Sequence, residues 1–141
     1  MKFVQGDILN LPFTDEEFGA VFCISTIEHI GLGFYQDPQS QAPADHKAMQ
    51  EASRVLKKGG MLVLTVPYGI VIPNSHHRIY DADSLARLLS GLKITEERYF
   101  INVQNANGAR NNFWQEVTQS RAAQVASGDL ANGVCLIKAF K

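Results

Sequence analysis

The stretch AVFCISTIEHIGLGFYQD, residues 20–37, passes from an apolar run to a charged pair and then to two glycines. Ala20–Ser25 has the length and the continuous apolar character of a strand that is buried on both faces. Glu28 and His29 follow at its carboxyl end. A titratable pair directly after a buried strand predicts chemistry at the edge of a sheet.

Strand-like and helical patterns alternate along the rest of the chain. Apolar residues at helical spacing predict a helix within residues 45–60, and residues 81–91 predict a shorter helix capped by Asp81. The predicted strands are Lys2–Gly6, Ala20–Ser25, Met61–Val66, residues 93–101 and Gly133–Phe140, and residues 113–127 predict a further helix. This alternation predicts an α/β, Rossmann-like fold with a mainly parallel sheet and helices on both faces. In such sheets, ligands bind beyond the carboxyl ends of the strands.

Composition narrows the class of protein. The 141 residues are expected to form a single domain with a formal net charge of -1 and no long basic block, so no nucleic acid partner is implied. The longest apolar run is shorter than the ~20 residues that span a bilayer, so no membrane partner is expected. Asp7 interrupts any signal-peptide core, and Cys23 and Cys135 lie in strand-like runs that predict buried free thiols. We therefore expect a cytoplasmic protein.

Two segments resemble a known family. FVQGDILNLPFTDEEFGAVFCISTIEHI and RVLKKGGMLVLTVPYG resemble the second half of a class I S-adenosylmethionine-dependent methyltransferase. Lys58 and Gly19 stand where that family usually has Pro and Asp. More narrowly, EHIGLGFYQDP with the later HRIY resembles a little-characterised methyltransferase-like family with an EHIGLGxYxD signature. The matching motifs are Gly6-Asp7, Leu11-Pro12-Phe13, Phe18–Val21, Glu28-His29 and Arg54–Gly60.

The resemblance implies S-adenosylmethionine as cofactor, with Asp7 and Ile8 near its adenine. The family's first two strands, with their glycine-rich loop, hold the methionine end and the ribose. The chain begins at what resembles the third strand, so we expect a domain truncated at the N-terminus relative to the family. We also expect weak or absent cofactor binding by this chain alone, which leaves open whether it is an enzyme.

The titratable residues suggest an acceptor site. A hydroxyl or amine that accepts a methyl group must lose a proton, and His29, oriented by Glu28, is the best-placed base. His77, Arg78 and Tyr80 fall on the same predicted rim, where they are candidates to bind the acceptor. Each of these residues could instead serve local structure.

Two other ligand classes are not favoured. Adjacent histidines without i,i+4 spacing form a weak ligand pattern, so no metal site is predicted. Gly31-Leu32-Gly33 lacks the third glycine of a dinucleotide fingerprint, since Gln36 stands there. The two glycines more simply allow a tight turn that folds Phe34 and Tyr35 over the strand ends.

The expected function is a methyltransferase, or the C-terminal part of one, that acts on a small-molecule or glycan-type acceptor. The alternative is a non-catalytic domain that serves as a dimerisation or partner-binding module. The family strand order, 3-2-1-4-5-7-6, would leave Ala20–Ser25 as an apolar open edge, which natural proteins avoid. Lys2–Gly6 could move in beside it, but so short a strand covers little apolar surface. We therefore expect a homodimer with Ala20–Ser25 near the interface.

Overall fold

The computed structural model describes residues 3–33, 43–73, 76–104 and 110–141. The strands are β1 (Phe18–Ile24), β2 (Leu56–Pro67), β3 (Lys93–Gln104), β4 (Arg110–Val117) and β5 (Gly133–Phe140). The helices are α1 (Ala44–Val55), α2 (Ala82–Leu88) and α3 (Gln119–Ala122), and a short 3-10 turn covers Ile27–His29. The five strands form one sheet in the order β1-β2-β5-β3-β4.

The α/β, Rossmann-like class is confirmed, with a mixed sheet in place of a mainly parallel one. β1 and β2 are parallel, and the other three neighbouring pairs are antiparallel. The reason lies in the connections: β2 and β3 run in the same direction, and β5 returns between them in the opposite one. The order β1-β2-β5-β3 reproduces the 4-5-7-6 part of the family order, and β4 adds a hairpin at the edge.

The core lies on one face of the sheet, where alternate residues of neighbouring strands meet. Leu62 lies opposite Ala139, and Leu64 lies opposite Ile137. Helix α1 packs its predicted apolar stripe against this face, as predicted from the helical spacing. The fully buried side chains of β2 and β5 on this face are Leu62, Leu64, Val66, Cys135, Ile137 and Ala139. Cys23 and Cys135 are free and buried, which confirms their assignment.

Two predicted elements are wrong. Residues 3–6 form no strand, and Phe3 is 89% exposed, so no strand of the described residues covers the outer edge of β1. A lone apolar pair near a glycine has too few residues to hold a strand in register. Residues 113–127 are not one helix, because Phe113–Val117 pair with β3 and helical structure is confined to α3.

The predicted turn at Gly31 and Gly33 is confirmed, since both glycines have a φ of 77°. A side chain at either position would be strained in this left-handed conformation. The predicted packing of Phe34 and Tyr35 over the strand ends lies outside the described residues. The same is true of the middle of the polar segment at residues 102–112, whose two ends continue β3 and β4.

Arg54 ties the N-terminal segment to helix α1. Its guanidinium donates hydrogen bonds to the main-chain oxygens of Phe13 and Leu11, at 2.9 and 3.2 Å. It also donates to the carboxylates of Asp15 and Glu51, each at 2.8 Å. Glu51 in turn accepts a hydrogen bond from the backbone N–H of Leu11 at 2.9 Å. The segment that leads from Asp7 into β1 is therefore fixed on α1 by a charged network.

This network predicts an acid-sensitive step in stability. The hydrogen bond from Arg54 lowers the pKa of Glu51 from 4.5 to about 2. A depressed folded-state pKa stabilises the fold above the unfolded value and is lost as the pH falls through the folded one. Between pH 4.5 and 2, the free energy of unfolding should therefore fall more steeply in the wild type than in Glu51→Gln. Urea unfolding followed by circular dichroism measures both profiles, and parallel profiles would contradict the assignment.

Candidate functional site

The predicted site residues come together at the carboxyl ends of β1 and β2. Glu28 and His29 lie in the 3-10 turn that follows β1, and segment 76–80 follows β2. The backbone N–H of Arg78 donates to the carbonyl of Glu28 at 2.9 Å, and the Arg78 guanidinium donates to the carbonyl of Ile30 at 2.7 Å. The two polar groups that the sequence placed on one rim are therefore bonded to each other.

The contacts of His29 decide which of its nitrogens carries the proton. Nδ1 lies 2.5 Å from the main-chain oxygen of His76. A carbonyl oxygen can only accept, so Nδ1 is the donor and the neutral ring has its lone pair on Nε2. Nε2 lies 3.9 Å from Oε1 of Glu28, and the ring centroid lies 6.2 Å from that of His77. This tautomer suits a general base acting through Nε2.

Glu28 is a buried carboxyl group. It is 2% exposed, and Oε2 has no hydrogen-bond partner among the described residues. Burial raises the pKa of Glu28 above its usual value, against smaller opposite effects of a backbone hydrogen bond and the His29 charge. A low-dielectric environment disfavours the charged form of an acid, so this side chain is held toward neutrality.

The charged groups beside this pair are bonded internally. The hydroxyl of Tyr80 donates to Oδ2 of Asp45 at 3.0 Å, and Nε of Arg78 lies 3.6 Å from the same oxygen. Burial, with the neighbouring Asp45 carboxylate, raises the pKa of the Tyr80 phenol. Arg78 was predicted to clamp an acceptor, but its described contacts are with Asp45 and with the turn after β1. It holds the site together.

A cavity of about 350 Å³ opens beside this network. The three predicted acceptor-binding residues, His77, Arg78 and Tyr80, all line it. His77 is buried, and this burial lowers its pKa, which favours a neutral ring. The other lining residues include Asp45, His46, Val71, Ile72, Pro73 and Arg87, which the sequence did not assign to the site. Asp45 gave only the signal of a helix N-terminus, because its pairing with Tyr80 is not local.

Asp7 and Ile8 form a separate turn before β1. Oδ1 of Asp7 accepts from the backbone N–H of Leu9 at 2.9 Å, and its carbonyl accepts from that of Asn10 at 3.0 Å. The Asp7 side chain is exposed, and Ile8 packs partly against the core. An exposed carboxylate can accept a hydrogen bond from an exocyclic amine, and an adjacent apolar side chain suits a ring face. The pair therefore fits the adenine end of S-adenosylmethionine.

Within the described residues, no group of three or more His, Cys, Asp or Glu side chains is arranged to hold a metal ion. No helix there is long and apolar enough to cross a membrane.

Comparison with known proteins places the chain in a family. The family model described as Caenorhabditis protein of unknown function, DUF268, matches residues 11–123. The chain belongs to this family. The DUF268 match includes the turn after β1, helix α1 and the whole rim from Pro67 to Tyr80. The network of Asp45, Arg78 and Tyr80 thus lies inside the matched region, and Asp7 and Ile8 lie outside it.

The DUF268 chain has the fold of the S-adenosylmethionine-dependent methyltransferases. The structural match with one such enzyme, from Thermotoga maritima, covers 98% of this chain and 63% of the enzyme, with a TM-score of 0.57 and 18% identity. The structural match with the [4+2]-cyclase SpnF covers 99% of this chain and 56% of the cyclase, with a TM-score of 0.58 and 18% identity. The chain is also 38% identical over 61 residues to a sterol 24-C-methyltransferase of Gibberella zeae.

The chain spans 26% and 13% of the lengths of two curated relatives that it matches. The segment matched in the sterol methyltransferase is 43% of this chain. Methyltransferase neighbours imply S-adenosylmethionine as the cofactor by resemblance. They leave the activity and the acceptor of this chain to be proposed from the site.

The buried hydrogen bond between Tyr80 and Asp45 predicts a measurable loss of stability. Tyr80→Phe removes the hydroxyl donor and leaves a buried carboxylate with a weaker set of partners. Such a loss costs about 1–3 kcal/mol of unfolding free energy, which urea titration measures.

Tyr99→Phe is the matched control, because the buried hydroxyl of Tyr99 has no described partner stronger than the Cys135 thiol. Removing it should have little effect or be slightly stabilising. Equal losses in the two variants would show that the Asp45 contact contributes nothing specific.

Proposed function

We propose that this chain carries the acceptor side of an S-adenosylmethionine-dependent methyltransferase that acts on a small molecule, such as a glycan-type acceptor. The observation that supports this most directly is the fixed tautomer of His29. Its Nδ1 donates to the His76 carbonyl, so Nε2 is the nitrogen that carries the lone pair of the neutral ring. The methyltransferase fold and the adjacent cavity support a role for this base in removing a proton from a methyl acceptor.

In this proposal, His29 removes the proton that the acceptor loses. An oxygen or nitrogen nucleophile forms a bond to the transferred carbon and becomes more acidic as it does so. Nε2 of His29 takes that proton, while the hydrogen bond from Nδ1 to His76 holds the ring in place. S-adenosylmethionine supplies an electrophilic methyl group when it is bound. Glu28 lies within 3.9 Å of Nε2, where it orients the imidazole.

The acceptor would occupy the cavity lined by His77, Arg78 and Tyr80. His77 lies between this cavity and His29, with a ring separation of 6.2 Å. Asp7 and Ile8 would contact the adenine, on the evidence of an exposed carboxylate beside an apolar side chain. Because these two residues serve one end of a large ligand, we expect the chain alone to bind the cofactor weakly.

A transfer assay tests the proposal. The chain is incubated with S-adenosylmethionine near its solubility limit and a panel of hydroxyl and amine acceptors, and release of S-adenosylhomocysteine is measured. His29→Asn should lower the rate about 100-fold or more, because an amide is not a general base at neutral pH. Its melting temperature should stay close to that of the wild type, since the Asn amide can still donate to the His76 carbonyl.

His76→Asn is the matched control. Its side chain lies 3.6 Å from the exposed Asp129, and its backbone carbonyl, which binds His29, is unchanged by the substitution. This variant should keep its activity. Full activity in His29→Asn would refute the assignment of His29 as the base. Failure of the wild type to transfer to any acceptor at a saturating concentration of S-adenosylmethionine would favour a non-catalytic binding module.

We further propose that two copies of the chain associate through β1. This strand is an edge of the sheet, and Phe22 and Ile24 on it are 66% and 53% exposed. An open apolar edge is a site at which other strands pair. A second copy would cover both side chains and satisfy the backbone groups of the edge.

Sedimentation equilibrium tests the homodimer. Burying a Phe side chain contributes about 1.5–3 kcal/mol, so Phe22→Lys should raise the dimer dissociation constant about tenfold or more. Phe113→Lys, on the opposite edge strand β4, is the control and should leave association unchanged. A wild-type monomer at tens of micromolar, with slow amide exchange across residues 20–25, would overturn the assignment.

A further inference from the structure

Arg87 is an exposed cation at the mouth of the cavity. It lies in the last turn of α2 and lines the cavity, as does the apolar segment that follows β2. Its guanidinium makes no hydrogen bond and no ion pair within 4 Å to any of the described residues. Hydrogen bonds from Ser84 are the main cause of the lowered pKa of Asp81, and the charge of Arg87 adds to them.

The other charged groups of the cavity are engaged in internal contacts. Asp45 accepts from Tyr80 and lies near Arg78, as described above. The carboxylate of Asp81 accepts from the backbone N–H of Ser84 at 2.8 Å and from its hydroxyl at 2.6 Å, which caps α2. Of the two arginines that line the cavity, Arg87 is therefore the one with no hydrogen bond or ion pair among the described residues.

Asp83 is the nearest competitor for Arg87 along the chain, because the two are separated by one turn of α2. No ion pair between them forms within 4 Å. An exposed i,i+4 pair is worth only about 0.3–0.5 kcal/mol. Asp83 therefore does not prevent a ligand with a well-placed anionic oxygen group from binding to Arg87.

Apolar side chains also line the cavity. Val71 and Ile72 follow the end of β2, and they are 54% and 37% exposed. A ligand that packs against such exposed apolar side chains removes them from water, which is favourable. A cavity lined by apolar side chains and a cation favours a ligand that has an apolar body and a negative group at one end.

We propose that the acceptor of this site carries an anionic oxygen group, carboxylate or phosphate, that binds to Arg87 while its apolar part packs against Val71 and Ile72. This inference rests on the proposed function, because it names the acceptor class of the same cavity. It also changes the role of the two arginines. Arg78, one of the residues that the sequence offered as candidates to bind the acceptor, positions the turn after β1, and Arg87 binds the anionic group.

The test uses three probes that share one apolar body and differ in charge: benzyl phosphate, benzyl alcohol and benzylamine. Each is titrated into the ¹⁵N-labelled chain, and amide shifts of residues 71–73 and 77–81 report on the cavity. Benzyl phosphate should bind about fivefold more tightly than benzyl alcohol, the scale of an exposed charge pair, and benzylamine should bind no better than the alcohol.

Arg87→Gln should abolish the preference for benzyl phosphate, and Arg121→Gln should retain it. Arg121 is the matched control, since it is also an exposed arginine in the last turn of a short helix. A preference that survives in Arg87→Gln, an equal loss in Arg121→Gln, tighter binding of benzylamine, or no shifts at the cavity would each overturn the inference.

The binding test does not depend on methyl transfer, so the two proposals fail separately. Anion binding through Arg87 in a chain that transfers no methyl group would leave an anion-selective cavity and remove the catalytic assignment. Transfer to neutral acceptors, with no role for Arg87, would have the opposite meaning.

Discussion

The arrangement of the rim depends on the bonds that Arg78 makes to the turn after β1. Its backbone N–H and its guanidinium donate to the carbonyls of Glu28 and Ile30, at 2.9 and 2.7 Å. These carbonyls lie beyond the end of β1, where no ladder partner satisfies them. Two segments about 50 residues apart in sequence are thereby joined, and His29 reaches the carbonyl of His76. The tautomer of His29 is thus a consequence of how the two strand ends are connected.

Burial then sets the charge state of this region. The low dielectric raises the pKa of Glu28 and lowers that of His77, so an acid and a base are both held toward their neutral forms. Asp45 stays compatible with burial because Tyr80 and Arg78 satisfy it.

The fold and the candidate site could be predicted from the sequence only where the pattern that indicates a feature lies within a few residues. β1, β2, β5, α1 and the capped α2 were predicted correctly, because their apolar period or cap is visible within a few residues. The strand at residues 2–6 and the helix at 113–127 failed, since a strand needs a partner and β4 finds its partner only in β3. The rim residues were placed by the rule that strand ends share one edge. The bond between Asp45 and Tyr80, 35 positions apart, could not be predicted.

The fold by itself does not decide the reaction, since a methyltransferase and a cyclase resemble this chain equally closely. What distinguishes one chemistry from another is which groups are free to act once the structural hydrogen bonds are accounted for. Arg78, Asp45, Tyr80 and Arg54 are all engaged in holding segments together, so their charges give little information about a ligand. Nε2 is the nitrogen of His29 that carries the lone pair, and the Arg87 guanidinium makes no hydrogen bond or ion pair to the described residues. If both act as proposed, the ligand loses a proton at one end and carries a negative charge at the other.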